Sequence, residues 1–90
     1  MKINNNLKVK LEEIFKQFGY KIRYEKGQFN SGFCIMEDQK VVVINKFFPL
    51  ESKVNALMSI LQTIHEDRHQ LDDGDLVKLY DKIQQTTLLS

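Results

Sequence analysis

Ninety residues, 42% hydrophobic and 28% charged with a net charge of +1, fit one small domain over residues 1–90. A chain of this size buries only roughly 60–65% of its unfolded surface, so its core is small and association is a ready way to extend it. No apolar run approaches the ~18–20 residues of a membrane span. The start, MKINNNLKVKLEE, lacks the apolar stretch of a secretory signal, and the single cysteine, Cys34, cannot form an intramolecular disulfide, so the cytoplasm is the expected compartment.

The first element reads as a helix. Ile3, Leu7, Leu11, Ile14, Phe15 and Phe18 recur at spacings of three and four. Asn4, Asn5 or Asn6 can cap its start, and Gly19 can end it in the left-handed conformation. YKIRYE (20–25) then alternates Tyr20, Ile22 and Tyr24 with Lys21, Arg23 and Glu25, the pattern of a half-buried strand. GFCIM (32–36) and KVVVIN (40–45) follow as strands that are apolar on both faces, and the short polar link between them predicts an antiparallel hairpin. Pro49 suits the first turn of a helix that buries Leu50, Val54, Leu57, Leu61 and Ile64, with Met58 and Ile60 beside that stripe. Its periodicity fades in residues 65–70. DDGD (72–75) is a turn and cap signal for a last helix carrying Leu76, Leu79, Tyr80 and Ile83, and Gln84 to Ser90 reads as a frayed tail. The predicted architecture is α+β, in the order α-β-β-β-α-α, with helices packed on a three-stranded antiparallel sheet.

Residues 65–69 read HEDRH, a literal H-E-x-x-H. On a helix, His65 and His69 would project from one face towards a zinc ion, Glu66 would polarise its water, and Asp72, Asp73 or Asp75 could complete the ligand set. Against this stand the charged Asp67 and Arg68 at positions that a buried zincin helix leaves uncharged, and an apolar stripe that weakens where the motif begins. Metal and cofactor are therefore not expected, and a minimal zinc metallopeptidase is the alternative reading.

Charge is unevenly spread. Residues 1–30 carry seven basic and three acidic groups, and residues 61–90 carry three basic and six acidic groups. Lys21, Arg23 and Lys26 interleave with Tyr20, Tyr24 and Phe29, which raises a third reading, a single-stranded nucleic-acid binder. Alternation along a strand sends the two sets to opposite faces, and nucleic acid is not the expected partner. Cys34, between Phe33 and Ile35, reads as a packing residue, having no neighbouring base to activate its thiol. Phe47-Phe48 in a short connection can supply one core plug and either a second plug or an apolar contact.

The segment GYKIRYEKGQFNSGFCIMEDQKVVVINKFFPLESKVNALMSIL (19–61) resembles a small uncharacterised bacterial domain family of strand-strand-strand-helix type. More distantly it is similar to the N-terminal part of the ImmA/IrrE-like metallopeptidases, with Ile44-Asn45 at the strand end, Pro49 at the helix start and Lys53 at a basic position. In that register the zinc motif would fall near Ser59-Ile60-Leu61-Gln62-Thr63, which holds no usable ligand set, and HEDRH comes more than a turn later. The resemblance implies a degenerate zincin-like fold without the activity.

The expected function is a non-catalytic protein-interaction domain that self-associates. Two strands apolar on both faces need cover on both sides, and a homodimer supplies it, with Cys34, Met36, Val42, Ile44 and Phe47 or Phe48 at or beside the interface.

Overall fold

The computed structural model describes residues 2–26, 33–36, 38–64 and 66–85, with the Phe33 and Cys34 side chains left aside. Helix α1 spans Asn5–Gln17 and is followed by strands β1 (Lys21–Glu25), β2 (Phe33–Met36) and β3 (Val41–Asn45). Helix α2 spans Leu50–Thr63, a 3-10 turn covers Arg68–Gln70, and α3 spans Gly74–Gln85.

Each helix end has a local cause. Of the three asparagines before α1, Asn4 is the cap: its Oδ1 accepts the Leu7 N–H at 2.9 Å. At the other end Gly19 adopts φ 88. Its N–H donates to the Lys16 carbonyl and the Tyr20 N–H to the Phe15 carbonyl, a Schellman closure. The rings of Phe15 and Tyr20 meet edge to face across it, 6.0 Å apart. Asp73 caps α3, its Oδ1 accepting from Asp75 N–H at 2.8 Å and its carbonyl from Val77 N–H at 3.1 Å.

The sheet corrects the antiparallel expectation. Its strand order is β1-β3-β2, with β2 and β3 antiparallel as the short link implies, but β1 parallel to β3. The third strand is inserted between the first two, so the sheet is mixed. Tyr20, Ile22 and Tyr24 do turn inwards: Tyr20 is buried, and Ile22 and Tyr24 pack against the core.

The register also corrects the faces. Met36 stands opposite Val41, and Cys34 opposite Val43. Directly opposed residues share a face, so Met36 lies with Val41 and Val43 rather than with Val42 and Ile44. Val42 and Ile44 are 0% exposed and belong to the helix-covered core. Strands apolar on both sides gave no pattern by which to choose the covered face.

One core joins all three helices to this inner face. Leu11, Ile14 and Phe15 of α1, Val54, Leu57 and Leu61 of α2, and Leu76, Tyr80 and Ile83 of α3 meet Val42 and Ile44 in it. Helix α3 packs on α1 and α2. The rings of Phe18 and Tyr80 meet at 5.2 Å. The side-chain amide of Gln62 donates to the Ile83 carbonyl at 2.7 Å, and that of Gln84 to the Leu61 carbonyl at 2.8 Å. Gln84 and Gln85, assigned to a frayed tail, thus belong to α3; residues 86–90 lie outside the described set. Among the described residues no helix is long and apolar enough to cross a membrane.

Candidate functional site

The HEDRH segment does not carry the helix that its letters suggest. Helix α2 ends at Thr63, and Ile64, its C-cap, is extended at φ −91 and ψ 139. Asp67 is likewise extended, and His69 sits in the following 3-10 turn. The i, i+4 geometry that aims two imidazoles at one ion requires an unbroken α-helix through these positions. His65 lies outside the described residues.

Glu66 and Arg68 hold this segment to the fold. Glu66 faces the Lys40 ammonium at 3.3 Å, and its carbonyl accepts the Tyr80 hydroxyl at 3.1 Å. Arg68 pairs with Asp81 of α3 at 2.8 Å. Asp67 accepts the His69 N–H at 2.9 Å and lies 2.8 Å from its Nδ1. These contacts hold the Asp67 carboxyl below the usual aspartate range, with the backbone bond from His69 the largest cause. The His69 side chain is 83% exposed. Asp75 is exposed in the first turn of α3. Among the described residues no three His, Cys, Asp or Glu side chains come together in a way that could hold a metal ion. In the register of the ImmA/IrrE-like resemblance, Ser59–Thr63 falls inside α2, where Ile60 and Leu61 are core residues.

The tyrosines of the basic N-terminal third turn to the core side of β1. Tyr20 is buried, and Tyr24 packs against the core with its hydroxyl donated to Glu12. The ammonium groups of Lys8 and Lys53 lie 5.1 and 5.4 Å from the Tyr24 ring centroid. Burial, then the bond to Glu12, pushes the Tyr24 phenol well above the usual tyrosine range. Phe29 lies outside the described residues.

The two phenylalanines after β3 divide. Phe48 packs against the core, whereas Phe47 is 67% exposed. A tight turn holds them: the Phe47 N–H donates to Asn45 Oδ1 at 2.9 Å and the Phe48 N–H to the Asn45 carbonyl at 3.1 Å. The Lys46 ammonium lies 5.2 Å from the Phe47 ring centroid, and Leu50, three residues on, is 37% exposed. Asn45 closes the outer row of β3, which runs back through Val43 to Val41 beside Met36. Val43 is buried, and Val41 and Met36 are half-buried.

A groove that the sequence reading missed lies between α1 and β1. It measures about 310 Å³ and is lined by Glu12 and Lys16 from α1 and by Tyr20, Lys21, Ile22 and Tyr24. It depends on β1 being an edge strand, and nothing within KIRYE signals that. The i, i+4 placement of Glu12 and Lys16 on the polar flank of α1 was the visible part of its rim.

No family model, no curated protein and no solved structure matches the chain.

Proposed function

We propose that this is a non-catalytic protein-interaction domain that forms a homodimer, with Phe47 as the anchor of the contact. The observation that carries this reading is the exposed Phe47 ring at the end of the outer β3 row. A turn with two hydrogen bonds to Asn45 fixes the backbone on either side of the ring. A large aromatic held in place gives up little conformational freedom on binding and is a favoured centre of interfaces. Leu50 adds to the same tip, and the half-buried Met36 and Val41 supply apolar surface on the outer row of the sheet. A two-fold contact would let each copy cover the other's Phe47 with the same patch.

Sedimentation at micromolar concentration tests this. The expected result is a species of twice the 10.6 kDa chain mass, shifted to monomer by Phe47→Asp. A monomer at all concentrations up to about 1 mM, a range that reaches even weak association, would remove the self-association reading.

A further inference from the structure

Among the described residues strand β1 has a ladder on one side only, that of β3. The Lys21 N–H donates to the Lys40 carbonyl at 2.8 Å, and the Glu25 carbonyl accepts from the Lys46 N–H at 3.0 Å. Lys21, Arg23 and Glu25 therefore turn their backbone groups towards β3, and Ile22 and Tyr24 turn theirs to the free edge. Among the described residues no hydrogen bond reaches those outward groups. They border the groove of about 310 Å³ beneath α1.

We propose that this groove binds an extended acidic segment of a partner protein, which adds to β1 as a further strand. The outward N–H and C=O groups of Ile22 and Tyr24 give the added strand its main-chain bonds. The half-buried Ile22 and Tyr24 side chains receive its alternate apolar side chains. Its remaining side chains fall on the face of Lys21 and Arg23.

Charge selects the acidic occupant. Lys16 and Lys21 line the groove and have no ion-pair partner among the described residues. The groove's carboxylate, Glu12, is already engaged by the Tyr24 hydroxyl and by Lys8 at 3.5 Å. A second copy of the chain is a poorer fit. Antiparallel pairing centred on the middle of this edge would set Arg23 directly opposite Arg23 of the other copy, a repelling cross-strand pair. The Glu25 that could relieve it is held by its own Arg23 at 2.6 Å.

The test uses two fluorescein-labelled peptides, one of alternating valine and glutamate and one of alternating valine and lysine, with anisotropy and amide NMR on the full chain. The acidic peptide should saturate the protein below about 1 mM, with the basic peptide at least about tenfold weaker. The largest shifts and the slowest exchange should appear at the Ile22 and Tyr24 amides. Ile22→Pro removes an outward N–H without touching the ladder and should weaken binding about tenfold. If that variant fails to fold, the double change Lys16→Glu with Lys21→Glu decides, since it leaves the strand backbone intact and should reverse the peptide preference. Phe47→Asp should bind the acidic peptide unchanged, which separates this groove from the dimer contact. Three results would overturn the proposal: equal binding of the two peptides, amide shifts confined to other surfaces, or no saturation by either peptide. The last would mean that Lys21 and Arg23 only guard the edge against aggregation.

Discussion

The Lys40 ammonium lies 3.3 Å from the Glu66 carboxylate and 3.2 Å from the Phe18 carbonyl oxygen. One side chain thus ties the turn before β3 to the end of α1 and to the segment after α2. Lys40 also carries a backbone φ of 53, a left-handed conformation that costs a residue with a Cβ about 1 kcal/mol.

These two roles can be separated by substitution. Lys40→Ala and Lys40→Gly both lose the side-chain contacts, but only glycine is relieved of the left-handed penalty. The glycine variant should therefore be more stable than the alanine variant by about 1 kcal/mol in urea denaturation. Equal midpoints would show that the turn is not left-handed in solution.

Neither zinc nor EDTA should move the thermal midpoint. The helix needed to aim His65 and His69 at one ion stops at Thr63. A structural zinc site would couple strongly to folding, so even partial occupancy would show as a shift of several degrees. A zinc-dependent rise that disappears in His69→Ala would restore the peptidase reading.

Asp67 should titrate below ordinary aspartate, and His69→Ala should leave part of that depression in place. The larger cause is the backbone N–H of residue 69, which the substitution keeps. The favourable interaction is present above the ordinary aspartate range and is lost as pH falls through the depressed value. Carboxyl chemical shifts followed against pH provide the measurement, and a return to the ordinary range in His69→Ala would assign the effect to the imidazole instead.

Tyr24 should ionise late in an alkaline absorbance titration. Burial is the first cause and the Glu12 carboxylate the second, so Glu12→Gln should lower the midpoint only in part. Because the folded value lies above the unfolded one, the linked stability is fully present below the ordinary tyrosine pKa of about 10 and fades as pH rises through the folded value. Tyr24→Phe should remove part of the late absorbance, since burial raises Tyr80 as well. An ordinary midpoint in the unmodified chain would place the hydroxyl in water.

Local structure was largely legible in the residues. The stripe from Leu7 to Phe18 marks α1, Gly19 its end, DDGD the start of α3, and the short polar link the β2–β3 hairpin. What was not legible is non-local. Lys21 pairs with Val41, twenty positions later, while the nearer strand β2 is skipped. Nothing in KIRYE names its neighbour, and strand pairing is decided by how helices and sheet share one core. The inner face was hidden for a related reason, since Val41 to Ile44 is apolar throughout and only the hairpin register separates Val42 from Val43. The fading stripe after Ile64 did signal the end of α2, and with it the difference between HEDRH as letters and as a helical motif. Of the surfaces argued for function, Phe47 was visible as one of two candidates, but the α1–β1 groove needed the sheet order.

The place of β3 between β1 and β2 imposes a sequence of assembly. The hairpin closes over a short turn at small entropic cost, whereas β1 must be brought in parallel from much farther along the chain. β1 pairs with β3 alone, so it has no partner until β3 is extended, and the hairpin is what holds β3 extended. Destabilising the β2–β3 turn should therefore slow folding, whereas weakening β1 should chiefly hasten unfolding.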